Sequence, residues 1–200
     1  MPAYEFVTVD VFTETRFGGN PLAVFPDARG LPDAAMQAVA KEFNLSETTF
    51  VLPPDDPAHR ARVRIFTPAT ELPFAGHPNV GTGYVLASRD AGAPNAYVFE
   101  ELAGLVPIGV LRGADGAARG ARIEAPRPLA LGAEVPAADI AACAGLAETD
   151  VVVAAHRPVV ASVGTEFVVA QVSGLDALGR ARPDIGAFRA AQRVQPRDLR

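Results

Sequence analysis

The stretch Asn79–Ser88, NVGTGYVLAS, carries no charged residue and is apolar or small nearly all round. A helix of that composition has no face to offer water and must be enclosed on every side. The chain around it must therefore supply a shell. Eighteen Gly and eighteen Pro among 200 residues imply many turns, which suit short strands better than long helices. Strand-like runs fall at Tyr4–Phe12, Pro21–Phe25, Thr48–Leu52, Ala61–Thr67, Ala96–Leu102, Leu105–Leu111 and Ala121–Ala125. In the fourth, Arg62 and Arg64 alternate with Val63 and Ile65, one face for water and one for a core. Pro32-Asp33 opens a further helix, with Met36, Val39, Ala40 and Phe43 on one side and Asn44 as a left-handed stop. The expectation is a curved sheet around one buried helix, complete within residues 1–125.

Pro126-Arg127-Pro128 marks the expected boundary to a second unit, residues 126–200. There an Ala-rich helix (Ala137–Leu146) precedes strands at Val151–Ala155, Val159–Val163 and Glu166–Val172. A short helix at Leu175–Ala181 follows, and the chain closes on the polar stretch VQPRDLR. Three strands can hardly close around a helix of their own, so this unit is expected to be incomplete.

Eighteen basic against 23 acidic side chains leave a net charge of −5, which repels phosphate backbones and anionic lipid. Nucleic acid and membrane are excluded as default partners; no run approaches the roughly 18 apolar residues of a membrane span. The start, MPAYEFVTVDVF, lacks the features of a signal peptide. The single cysteine, Cys143, excludes an internal disulfide, as suits a reducing cytoplasm, and any Cys-based zinc site. In AACAGL it reads as a small core residue. His59, His77 and His156 are too few and too scattered for a metal cage, and no metal site is expected. His59 and His156 read as surface residues and Asp55-Asp56 as a solvated loop. Ser162 and Ser173 lack the context of a hydrolase nucleophile.

Three segments could carry chemistry. In NLSETTF, Glu47 stands among Ser46, Thr48 and Thr49 at a helix-to-strand turn. A Glu leaning into a partly closed apolar space has its pKa raised and can accept and return a proton near neutral pH. Taken alone, a solvated turn Glu is the commoner case. Gly76-His77-Pro78 precedes the buried helix, with Pro78 suited to the first helical position. Free N–H groups at such a start attract a carboxylate or phosphate. Gly76, Gly81 and Gly83 would allow close backbone approach, and His77 could act as a proton partner of Glu47. A glycine-rich turn with a capping His is the plainer alternative. Gly18-Gly19-Asn20-Pro21 gives a tight turn and one amide, Asn20, which a hairpin connection also explains.

Together, VDVFTETRFGGNPLAVF (Val9–Phe25), NLSETTFV (Asn44–Val51) and FTPATELPFAGHPNVGTGYVL (Phe66–Leu86) resemble the phenazine-biosynthesis isomerase-like family, which shares the diaminopimelate epimerase fold. A weaker echo lies at Val160–Asp184. The resemblance implies an α+β fold of two pseudo-symmetric lobes, each a β-barrel-like sheet on a central helix, with the site in the cleft between them. It implies a cofactor-independent, cytoplasmic isomerase that moves a proton between carbons of a small carboxylate substrate. On that pattern Glu47 is the general acid/base, Gly76 and His77 bind and orient the substrate, and Asn20 and Ser46 support them. Family members continue into a segment of the type G-x-x-E-D-P-A-T-G-S, absent here. The chain is therefore expected to be a fragment or truncated form, or to need a partner, with activity of this form in question. A non-catalytic carboxylate binder or interaction protein is the alternative. An amino-acid epimerase of the same fold is disfavoured, because such enzymes use two cysteines. Exposed strand edges make self-association, as a homodimer, an expectation.

Overall fold

The computed structural model describes residues 3–90, 92 and 94–194; most of VQPRDLR lies outside the described residues. The chain divides into two units, residues 1–128 with 163–165, and residues 129–162 with those from 166 onward.

In the first unit the elements run β1 (Val7–Val11), β2 (Asn20–Phe25), α1 (Asp33–Phe43), β3 (Glu47–Leu52), β4 (Ala61–Phe66), β5 (Glu71–Leu72), α2 (Gly76–Arg89), β6 (Ala96–Glu101), β7 (Gly104–Arg112) and β8 (Ala118–Ile123). The strands form one sheet in the order β1-β2-β3-β4-β6-β7-β8, with β5 on β4. The β2/β3 and β4/β6 pairs are parallel; the β1/β2, β3/β4, β6/β7 and β7/β8 pairs are antiparallel. The sheet curls so that β1, β2 and β3, and also β7 and β8, all touch α2.

Alternation along the strands divides the core into two layers. Leu22, Val24, Val51, Val63 and Ile65 face inward and pack with Val85 and Leu86 of α2. Phe25, Phe50 and Phe66 face the other way, against Met36 and Ala40 of α1. The Phe25 and Phe50 rings stack at 4.9 Å, and Phe66 meets Phe50 edge-on at 5.5 Å. Helix α1 stops at Asn44, whose φ of 52° lies in the left-handed region expected for it.

Helix α2 is buried as its lack of charge requires, with nine of its fourteen residues out of solvent. It sinks onto the sheet at two glycines. A Cβ at Gly81 would fall 2.5 Å from Leu22 Cδ2, and one at Gly83 would fall 2.9 Å from Ile108 Cγ2. The helix starts earlier than the sequence suggests. Ala75 caps it, so Gly76 and His77 are its first two residues and Pro78 its third. All N–H groups of the first turn lack intrahelical partners, so proline is tolerated there beyond the first position.

The second unit contains β9 (Ala130–Glu134), α3 (Ala137–Ala144), a 3₁₀ turn (Glu148–Asp150), β10 (Val151–Val152), β11 (Val159–Ser162), β12 (Glu166–Val169), β13 (Gln171–Val172), α4 (Leu175–Arg180) and α5 (Ile185–Val194). A three-stranded sheet, β12-β11-β9, and a two-stranded ribbon, β10-β13, are its β structure. Strand β9 and helix α5 escape the sequence reading. ALGAE has no β-branched residue, and IGAFRAAQRV carries a glycine in its first turn. The start of α5 is nonetheless signed by Asp184, whose Oδ1 accepts the Ala187 N–H at 2.9 Å. Cys143 is buried in α3. His156 is exposed, but His59 is not a free surface residue: its Nδ1 lies 2.8 Å from Glu100 Oε1.

Candidate active site

Parallel pairing of β2 with β3, in the register Leu22↔Glu47, sets the starts of the two strands side by side. The first turn of α2 arrives at the same place. The structure thereby gathers Asn20, Ser46, Glu47 and His77. Ser46 Oγ–H donates to Asn20 Oδ1 at 3.0 Å. The Asn20 Nδ2 amide donates in turn to His77 Nδ1 at 3.2 Å. An accepting Nδ1 leaves the proton of the neutral ring on Nε2. That Nε2 lies 3.3 Å from Glu47 Oε2. The two atoms are not aligned as a hydrogen bond, both are shut off from solvent, and neither has another partner in the protein.

Burial pushes the Glu47 carboxyl up from its ordinary value. It pushes His77 down, opposed in part by the nearby backbone carbonyl of Pro21. The two shifts have opposite signs because burial disfavours whichever form is charged. They bring the proton affinities of carboxylate and imidazole closer together, with the Nε2–H of the neutral ring turned towards the carboxyl.

Gly76 stands differently from Gly81 and Gly83. A Cβ there would meet nothing within 4 Å, so this glycine opens onto space where the helix glycines are packed. No side chain caps the start of α2. The N–H groups of Gly76 and His77 are therefore available at the positive end of the helix dipole, on the turn whose His77 ring faces Glu47. Such donors suit a carboxylate or a developing oxyanion. Below them Thr49 Oγ1 and Thr82 Oγ1, both buried, meet at 2.8 Å and tie β3 to α2. The sequence reading missed this pair, because two threonines 33 residues apart carry no signal until the register is known.

The phenazine biosynthesis-like protein family model matches residues 9–198. The chain belongs to this family. An uncharacterized isomerase of Mesorhizobium japonicum is 47% identical over 192 residues, which are 94% of this chain and 62% of that protein. Trans-2,3-dihydro-3-hydroxyanthranilate isomerase of Pseudomonas fluorescens is 51% identical over 86 residues, 43% of this chain and 31% of the enzyme. The structure of a predicted epimerase from Pseudomonas aeruginosa superimposes with a TM-score of 0.80 at 34% identity, over 96% of this chain and 67% of that one. The family resemblance read from Val9–Phe25, Asn44–Val51 and Phe66–Leu86 is thus borne out, as is the α+β, epimerase-like fold. The chain spans about three fifths of the Mesorhizobium relative. Among its described residues no helix is long and apolar enough to cross a membrane.

Proposed function

We propose that this member of the phenazine biosynthesis-like family carries a proton-transfer site for isomerising a small carboxylate, with Glu47 as the general acid/base. The Glu47–His77 couple is the observation that supports the reading most directly: a carboxyl oxygen and an imidazole nitrogen, both buried and otherwise unpartnered, 3.3 Å apart. Glu47 takes a proton from one substrate carbon and returns it to another. The electron pair left behind moves through the substrate, and its charge is held by the Gly76 and His77 N–H groups. His77, oriented by Asn20 and Ser46, keeps Glu47 in the protonation state that each half-step needs. Only a proton changes place, so the step calls for no redox cofactor. The names of relatives such as the Pseudomonas enzyme point to a cyclic amino carboxylate as the first compound to try.

Incubating the chain with trans-2,3-dihydro-3-hydroxyanthranilate in deuterium oxide, with mass spectrometry of the recovered compound, tests this directly. Deuterium should enter the product at carbon. Glu47→Gln should slow that exchange on the order of 10²-fold or more, the usual size of a general-acid/base contribution, while calorimetric affinity changes little. Undiminished exchange in the variant would sink the assignment of Glu47. Tight binding by the natural chain without any exchange would replace the isomerase with a carboxylate-binding protein.

A further inference from the structure

No side chain caps the start of α2, so its first turn is aimed by whatever holds the residues that lead into it. Those residues, Pro73-Phe74-Ala75, join β5 to α2. Their three consecutive carbonyls each accept a hydrogen bond, and each donor comes from a different part of the chain. The N–H of Ala103, between β6 and β7, donates to Pro73 at 3.0 Å. Thr165 Oγ1–H donates to Phe74 at 2.8 Å. Asn79 Nδ2, one turn into α2, donates to Ala75 at 3.0 Å. The middle donor lies 91 residues from its acceptor in sequence. It belongs to Val163–Thr165, the loop between β11 and β12, and those three residues are part of the first unit. Val163 packs on the core around α2. Gly164 has a φ of 147°, which a residue with a Cβ rarely adopts. A Cβ there would also fall 3.2 Å from both Phe74 Cδ1 and Pro126 Cγ. The glycine lets the loop lie close enough on Phe74 for Thr165 to reach its carbonyl.

We propose that Thr165 is a positioning residue, whose hydroxyl fixes the Phe74 peptide and so aims the Gly76 and His77 N–H groups of the site. A peptide unit is planar, so holding the Phe74 carbonyl also holds the Ala75 N–H and the direction in which the chain enters α2. The other two bonds do less. Ala103 grips Pro73, one peptide further from the helix, and is itself held by Arg127 Nε at 3.3 Å. Asn79 is a residue of α2, so its bond to Ala75 turns with the helix. Thr165 grips the peptide next to the cap, and from outside the helix. Phe74 is only 6% exposed, so its carbonyl finds little water if the hydroxyl is taken away. The proposal rests on the reading of Gly76 and His77 as groups that hold the substrate.

Two variants test this beside the natural chain: Thr165→Val, which keeps the shape and removes the donor, and Thr165→Ser, which keeps the donor. NMR of isotopically labelled protein reads the amide and imidazole resonances, and calorimetry reads the binding of trans-2,3-dihydro-3-hydroxyanthranilate. In Thr165→Val the Gly76 and His77 amide signals and the His77 ring signals should move. The ring signals of His59, which is held by Glu100, should stay as an internal reference. Binding should weaken roughly threefold to tenfold, the size of one neutral hydrogen bond. Thr165→Ser should restore both signals and affinity. Should Thr165→Val fail to fold, Thr165→Ala removes the donor without setting a methyl group against the carbonyl, and the same signals decide. Gly76 and His77 signals indifferent to loss of the hydroxyl would overturn the proposal. So would a Thr165→Ser variant that behaves as Thr165→Val does, or movement of the His59 signals as large as that of His77, which marks general loosening. The NMR readout needs neither turnover nor substrate. Moved signals with unchanged binding would keep Thr165 as the anchor of the turn and strike Gly76 and His77 as holders of the substrate.

Discussion

Strands β3 and β12 are built from similar residues and meet opposite fates. ETTFVL in β3 has four of six residues buried, whereas all four residues of EFVV in β12 are exposed. β-Propensity does not separate them, since both are rich in Phe, Val and Thr or Glu. What differs is cover. β3 lies between α1 on one face and α2 on the other, while in the second unit α3 packs on α5 and the faces of β9 and β12 stay open. The contrast bears on chemistry as well as stability. Only a sheet covered on both faces can hold carboxyls such as Glu47 and Glu101 out of water, and only there does burial shift a pKa towards neutrality.

The largest effect should follow from breaking the cover of β3. Phe50 is 0% exposed and stands between Phe25 and Phe66 over α1. Phe50→Ala should cost the first unit about 3–5 kcal/mol, the range for a large aromatic deleted from a core. Urea unfolding followed by near-ultraviolet circular dichroism reads this. A loss under about 1 kcal/mol would mean that the two-layer core does not exist as described.

Threonines supply a finer cut through the same strand. Thr49 and Thr48 are adjacent in β3 and both fully buried, but Thr49 shares a hydrogen bond with Thr82 and Thr48 Oγ1 has no partner. Thr82→Val should cost about 1 kcal/mol by removing that bond and leaving the Thr49 hydroxyl only the Ala23 carbonyl at 3.5 Å. Thr48→Val, removing a hydroxyl already stranded, should be neutral or stabilising. Equal effects at both positions would show that the Thr49–Thr82 bond contributes nothing to holding β3 on α2.

How much of this was legible in advance depends on the range of the interaction. An uncharged run such as Asn79–Ser88 announces a buried helix by itself, and Asn44 announces a left-handed stop; both are local properties of the chain. Glu47, Asn20, Ser46, Gly76 and His77 are candidates because three spaced segments resemble one family, not because any residue stands out alone. The hydrogen-bond order Ser46–Asn20–His77 depends on the parallel register Leu22↔Glu47, which no short segment encodes. Glu101 was hidden by its neighbour. Two successive glutamates after Phe99 carry no signal of which one is buried, although the parity that buries Phe99 also buries Glu101 and turns Glu100 outward. Pro78 misplaced the helix start, because proline is compatible with several positions of a first turn. Strand β9 was lost because ALGAE has no intrinsic preference for extension, and its pairing with β11 supplies what propensity does not.

The smallest effect belongs to the open sheet, and it tests the comparison from its other side. Phe167 in β12 is 63% exposed, where Phe50 in the covered sheet is 0% exposed. Phe167→Ser should change stability by no more than about 0.5 kcal/mol, as surface substitutions do. It should also raise solubility, because an exposed apolar strand is a template for association. Analytical ultracentrifugation across a concentration series, beside a urea melt, separates the two consequences. A cost near that of Phe50→Ala would mean that β12 is covered in solution by another surface, and a concentration-dependent loss on substitution would identify that surface as a second copy of the chain. With neither, burial alone accounts for the different fates of two strands of like composition.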